Sequence, residues 1–333
     1  MRVLVTGATG FLGTALVARL VEVGHKVRVL VRRSSDVSDL PVVVERAYGD
    51  VTDGASVLAA ADDCEVAFHL AALVQAWWPD ERAFERVNVG GLENMLQALR
   101  ATPSLRRLVY TSSFFALGPT DGTVADSSQE HPGRGFCTAY ERSKWAADRV
   151  ARRAAEEEGL DVVVVYPCVI YGPGRISTAN LVVKMIADHF QGRLPGLVGS
   201  GARLNNFVHV NDVVLGLLAA QHRGVPGRRY ILGGENASML QLFQAVHRAT
   251  GKRPPRLRLP LWVVAVLGWV SVVVARMGGP IPIFTHESVR AFNHDWAYSS
   301  RQAHQDLDYA PLSLEEGLRD TLTWMRAVGA IKY

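Results

Sequence analysis

An α/β fold, a doubly wound parallel sheet followed by a smaller C-terminal lobe, is predicted by three features of this chain. Apolar strand runs alternate with amphipathic helices through residue 170, the pattern in which helices cover both faces of a parallel sheet. The chain opens on a β-branched run that feeds three evenly spaced glycines and then an apolar-periodic helix. Beyond Gly172-Pro173-Gly174 the alternation loosens into helices, short strands and Pro/Gly breaks.

In order, the first strand is 2–6 and its helix runs Phe11–Val23. Between them Gly7 permits a tight turn, Gly10 lets a pyrophosphate approach the backbone, and Gly13 lets helix and strand pack closely. Thr9, Phe11 and Leu12 stand among them, where a helix N-terminus offers free N–H groups to phosphates. This is the start of a Rossmann-type, dinucleotide-binding unit. Further strands are predicted at 27–31, 42–47, 65–69, 105–111 and 161–166. A helix begins near Asp53, and another over 81–101 carries Phe84, Val87, Leu92, Met95, Leu96 and Leu99 at the helical period. The helix over 138–158 holds Tyr140 and Lys144 in its first turns. The division drawn is 1–172 for the dinucleotide-binding unit, with 205–223 returning to its sheet, and 173–333 for a mainly substrate-binding lobe.

Tyr140 and Lys144 are four residues apart, behind Thr111-Ser112-Ser113. A lysine one helical turn from a phenol shares its face, and its charge favours the phenolate. A serine from a neighbouring strand end then holds a substrate oxygen beside the phenol. Tyr140 is the candidate general acid/base and Lys144 the group that lowers its pKa; proton transfer to or from an alcohol or ketone is the chemistry these groups support. Asn88 sits inside a helix where its propensity is poor, so it is read either as a hydrogen-bonding member of the site or as a buried polar link.

The cofactor's identity stays open. The second strand ends Val31-Arg32-Arg33 with no carboxylate for ribose hydroxyls; Arg32 suits a 2′-phosphate, favouring NADP(H), or stacks on adenine without one. Asp50, followed by Val51, is placed to accept from the adenine amino group or to cap the following helix. Ala71 and Ala72 follow strand four, where small side chains let the backbone approach the dinucleotide.

Composition excludes other classes. The 36 basic and 32 acidic residues give a net charge of +4, with no basic stripe interleaved with aromatics, so no nucleic-acid partner is expected. Cys64, Cys137 and Cys168 have unrelated spacings, which implies neither a disulfide framework nor a metal site and fits a reducing, cytoplasmic setting. The apolar run 261–275 is shorter than the ~20 residues a bilayer span needs. It is read as a buried helix of the lobe or as an interfacial one making peripheral membrane contact. The oligomeric state is left open, a homodimer included.

Gly7-Ala-Thr-Gly-Phe-Leu-Gly13, Gly49-Asp50-Val51-Thr52-Asp53, His69-Leu-Ala-Ala72, Asn88-Val-Gly-Gly91, Tyr166-Pro167 and Phe207-Val-His-Val-Asn-Asp212 together resemble the extended short-chain dehydrogenase/reductases, the NAD-dependent epimerase/dehydratase-like family, over nearly the whole chain. Within it the chain is most similar to the branch of dihydroflavonol reductases and 3β-hydroxysteroid dehydrogenases, and above all to plant farnesol dehydrogenases, through Arg32-Arg-Ser-Ser-Asp36, Tyr110 to Gly118, Gly192 to Gly196 and Gly234 to Ala237. The resemblance implies NAD dependence, against the electrostatic reading of Arg32. It places Lys144 on the nicotinamide ribose, Ser113 as the catalytic hydroxyl with Ser112 as second choice, and Tyr166, Pro167 and Val169 against the nicotinamide. Cys168 stands where glycine is commoner in the family.

For the substrate, Asn205 occupies the place of an arginine that holds a diphosphate in nucleotide-sugar enzymes of the family, and Arg290 to Trp296 departs from a second such element. Val74, Trp77, Trp78, Phe114, Phe115, Phe136 and the helix bearing Trp262 and Trp269 form the candidate pocket wall. The expectation is a lipophilic alcohol or its carbonyl compound, a prenyl alcohol such as farnesol first. A nucleotide-sugar epimerase or dehydratase is the first alternative, and a non-catalytic dinucleotide sensor the second.

Overall fold

The structure, a computed structural model, describes all 333 residues. Its first half alternates as the sequence predicts: β1 (Arg2–Thr6), α1 (Phe11–Glu22), β2 (Lys26–Val31), β3 (Glu45–Tyr48), α2 (Gly54–Ala61), β4 (Val66–His69), α3 (Arg82–Glu85), a π turn (Arg86–Gly90), α4 (Gly91–Ala101), β5 (Arg107–Thr111), α5 (Ala139–Glu156) and β6 (Val162–Pro167). Then come β7 (Val169–Tyr171), α6 (Leu181–Phe190), β8 (Leu197–Val198), β9 (Leu204–His209), α7 (Val210–Arg223), β10 (Arg229–Leu232), β11 (Glu235–Ser238), α8 (Met239–Thr250), β12 (Arg258–Leu259), α9 (Leu261–Arg276), α10 (Arg301–Leu307) and α11 (Leu314–Ala327).

The main sheet has seven parallel strands in the order β10-β6-β5-β4-β1-β2-β3. Strands covered on both faces are apolar without alternation, and Val162 to Val165 of β6 are fully buried. The chain reverses its direction of travel between β1 and β4, so a crevice opens at the carboxyl ends of those strands. A second core joins α6, α8 and α11 through Val183, Ile186, Phe243, Val246, Leu318 and Leu322.

Three departures from the sequence reading have local causes. Predicted strand 42–47 begins only at Glu45, because Val42 and Val43 lie on an exposed turn after Pro41. Of 205–223, only the helical part packs on the main sheet. Strand β9 pairs instead with β7 and β11, since Phe207 belongs to the second core, and β10 supplies the seventh strand. The helix predicted over 81–101 is broken by the π turn. One extra residue per turn shifts the phase of the face, which leaves Val87 part-exposed and turns Asn88 inward.

Gly13 closes the first βα unit, since a Cβ there would lie 2.1 Å from the Gly7 carbonyl oxygen. Gly13→Ala should cost about 1–3 kcal/mol by overpacking, despite alanine's better helix propensity. Gly10→Ala, whose Cβ would meet only that carbonyl at 3.3 Å, should be nearly neutral. Thermal unfolding of both variants checks this; equal midpoints would show that the helix can shift away from the strand.

Candidate active site

Strand register brings the predicted residues to one edge. Thr6 pairs with His69, His69 with Tyr110, and Thr111 with Val165, so the segments after β1, β4, β5 and β6 emerge side by side. A Cβ on Gly7 would fall 2.6 Å from the Ala71 nitrogen, and Ala71 N–H donates to Thr6 Oγ1 at 3.3 Å. Helix α1 starts at exposed Gly10 with no side-chain cap and no acidic residue in its first turn. The first N–H groups of a helix have no intrahelical acceptor, and those of Phe11, Leu12 and Gly13 stand at that start. These features fit a dinucleotide whose pyrophosphate rests over Gly10. Thr9 and Leu12 are half-buried beside them, whereas Phe11 is buried and packs under Gly174.

At the end of β2, Arg32 is exposed, and Arg33 lies over the Tyr48 ring at 5.4 Å. Asp50 Oδ1 accepts from the backbone N–H and hydroxyl of Thr52, while Asp53 caps α2. Asp50 therefore keeps its second oxygen free of these bonds, with Val51 packed against Gly91. Tyr166 and Pro167 close β6, with Val169 half-exposed just beyond it and Ala72 half-exposed beyond β4. Cys168 is buried, and burial pushes its thiol well up.

Thr138 caps α5, its hydroxyl accepting from Glu141 N–H at 3.0 Å. The helix presents Tyr140, Lys144 and Asp148 one turn apart on a single face. Lys144 is 4% exposed; its ammonium donates to the Thr111 carbonyl at 2.9 Å and lies over the Tyr110 ring at 5.3 Å. Burial pulls its pKa down to about 7, against the opposing charge of Asp148. Burial lifts Asp148 to about 6, while its bond from the Tyr166 hydroxyl pulls the other way; Ser112 Oγ stands 3.5 Å from the same oxygen. His69, with Nδ1 at 2.8 Å from the Thr6 hydroxyl, is held neutral near 3 by burial and then by the Lys144 charge. Thr111 Oγ1 is buried without a partner at the same edge.

Tyr140 keeps part of its ring open to solvent, yet the protein around its hydroxyl raises it to about 12, and the neighbouring Ser113 hydroxyl acts against that rise. The expectation that Lys144 favours the phenolate is thus corrected for this state: its ammonium is committed to Thr111 and Tyr110, and desolvation dominates. Ser113 Oγ also accepts from Phe115 N–H at 3.3 Å. Asn88 is a link and does not itself meet the phenol. Its oxygen accepts from Leu73 N–H at 2.7 Å, its amide donates to Leu73 O and to Ser143 Oγ at 2.8 Å, and Ser143 donates to the Tyr140 carbonyl.

The aromatic set is only partly assembled. Phe115 meets Tyr140 edge-on at 5.9 Å and Trp296 at 4.8 Å. Phe114 is core, packed on Trp296 and Tyr298, and Phe136 stacks on His131 at 4.5 Å. Val74 is exposed, Trp77 and Trp78 are half-buried, and Trp262 and Trp269 are 71% and 57% exposed. Asn205 lies in an apolar cleft with Met185, Phe284, Phe292, Arg203 and His294, and its strand bridges to Trp296. A more polar depression near Arg301 and His304 holds none of the candidate residues. Asp148 and Trp296 were missed in the sequence. Asp148 repeats the four-residue spacing of Tyr140 and Lys144, a signal that was available; Trp296, far along the chain, gave none.

The family model for the NAD-dependent epimerase/dehydratases matches residues 3–233. The chain belongs to that family. It is an extended short-chain dehydrogenase/reductase, an NAD(P)-dependent oxidoreductase. Sterol demethylase protein B of Methylococcus capsulatus is 35% identical over 99% of this chain and 100% of its own. A 3β-hydroxysteroid dehydrogenase/Δ5→4-isomerase of Mycobacterium tuberculosis is 32% identical over 97% and 90%. Among solved structures, gox2253 superposes with a TM-score of 0.83 at 34% identity, covering 99% of both chains. A UDP-glucose 4-epimerase of Thermotoga maritima shares the fold at 22% identity, TM-score 0.79, over 98% and 99%.

Lys144 gives this family member a pH signature. A lysine in the unfolded chain titrates near 10.5 and Lys144 near 7. Between those values the unfolded state takes up a proton that the folded state does not. Stability should therefore fall as pH is lowered through that window, by at most ~1.4 kcal/mol per unit. Lys144→Met should flatten the slope in urea unfolding of the cofactor-free protein. Equal pH dependence in both proteins would mean that the ammonium remains solvated.

Proposed function

We propose that this oxidoreductase interconverts a lipophilic alcohol and its carbonyl compound, with a prenyl alcohol such as farnesol first and sterols next. The observation that carries the reading is the Asn205 cleft. Its lining includes Leu181, Met185, Met239, Phe284 and Phe292, and its two cationic-type side chains already have carboxylate partners: Arg203 faces Asp295 at 3.3 Å and His294 faces Asp121 at 2.8 Å. A diphosphate entering there would lack free cations. The steroid- and sterol-named relatives support the same class.

When bound, NAD(P) supplies or accepts the hydride. Gly10 and the N–H groups of Phe11 and Leu12 hold the pyrophosphate, Asp50 accepts from adenine, and Tyr166 to Val169 flank the nicotinamide. Lys144, whose ammonium keeps N–H donors beyond the one given to Thr111, would hold its ribose. Ser113 orients the substrate oxygen, and Tyr140, protonated at neutral pH, gives its proton to a carbonyl oxygen or takes one back from an alcohol. Phe115 and Trp296 keep water from that exchange. Tyr140→Phe should keep cofactor binding and lower kcat about 10²–10⁴-fold. Affinity should rise by ~0.8 kcal/mol per added methylene until the cleft is full, and UDP should not compete. Micromolar competition by UDP would favour a nucleotide-sugar epimerase or dehydratase, while cofactor binding without turnover of any alcohol would favour a sensor.

Arg32 carries the preference for NADP. Arg32→Ala should weaken NADP(H) by ~1.5–3 kcal/mol, the worth of a bond to a charged group, and spare NAD(H). Fluorescence titration with both cofactors decides; equal losses would assign Arg32 to adenine stacking.

A further inference from the structure

Helix α9 is turned inside out for a helix surrounded by water. Its buried stripe is only Val264, Gly268 and Val272, at i, i+4 and i+8. A Cβ on Gly268 would come within 2.8 Å of the Thr285–His286 backbone, so the helix is seated closely along that line. The opposite face carries Trp262, Val266, Trp269, Val270, Val273 and Met277, all exposed, with no polar side chain among them. A patch of this kind normally meets a partner.

Charge identifies the partner. Residues 251–286 contain Lys252, Arg253, Arg256, Arg258 and Arg276 and no Asp or Glu. The rest of the chain then has 31 basic against 32 acidic residues, so the whole positive excess lies in the segment that carries this helix. No helix is long and apolar enough to cross a membrane; the 16 residues of α9 span about 24 Å against the ~30 Å of a bilayer core. Exposed tryptophans beside arginines are the composition of a helix lying in the headgroup layer.

We propose that α9 docks this enzyme on the surface of an anionic bilayer, the apolar face sunk among the acyl chains and the flanking Arg256, Arg258 and Arg276 on acidic headgroups. The helix rests on the Thr285 turn, directly after Phe284 of the Asn205 cleft. Docking would therefore bring the cleft close to a membrane-dissolved molecule, though the docking surface does not depend on the substrate reading.

Flotation of the full chain with phosphatidylcholine vesicles, with and without phosphatidylglycerol, tests it. Wild type should float with the anionic vesicles and bind neutral ones at least tenfold more weakly. Arg256→Gln and Arg276→Gln should each weaken anionic binding about fivefold. Trp262→Glu with Trp269→Glu should abolish it without moving the thermal midpoint, as both side chains are exposed. Equal or absent binding to the two vesicle types would overturn the proposal. So would a dimer, dissolved by the same tryptophan changes, in a protein that does not float. Because flotation reads no turnover, failure here leaves the assigned chemistry untouched.

Discussion

One buried ammonium fixes the geometry on which the site depends. An unpaired charge in a protein interior is expensive, and Lys144 is accommodated because three groups meet it: the Thr111 carbonyl, the Tyr110 ring face and the nearby Asp148 carboxylate. Each belongs to a different part of the fold's frame: the end of β5, its interior face, and the next turn of α5. Sliding α5 along β5 by one residue would break both contacts to β5 at once, while Asp148 would move with the lysine. That register is what sets Tyr140 beside Ser113. From the other side, Asn88 grips the loop after β4 and Ser143 together, and Ser143 holds the Tyr140 carbonyl. The phenol is thus positioned from two directions.

That arrangement explains which residues could be read from the sequence. The glycines were legible because their main reasons are local: Gly7 has a positive φ of 73°, and a Cβ at Gly13 strikes backbone of its own βα unit. The parallel sheet was legible because strands such as Val162 to Val165 are buried on both faces and show it in composition. Tyr140, Lys144 and Ser113 followed from spacing and from family resemblance. The π turn was hidden, because the apolar residues on either side of it keep a helical period and only the phase slips. Strand β10 was hidden for another reason, as four residues after a long helix carry no periodic signal.

The pocket wall was the least legible part. Aromatic residues near a site in sequence are equally good core residues: Phe114 proves to be core and part-buried Phe136 stacks on His131, while Phe115 meets the phenol. Alternation alone cannot choose, since 114–116 form a 3-10 turn in which adjacent side chains diverge. The ring that completes the contact, Trp296, arrives from 156 positions beyond Tyr140 by a bridge to Asn205.

The distribution of cations separates the two substrate classes more clearly than the aromatics do. An enzyme that grips a diphosphate keeps arginines unpaired in its cleft. In this chain Arg203 is tied to Asp295, and Arg175 is tied to Asp36 and Asp39. The chain's net positive charge lies in residues 251–286, on Lys252, Arg253, Arg256, Arg258 and Arg276, none of which lines the cleft. This distribution supports the proposed lipophilic substrate, which needs no cation from the cleft.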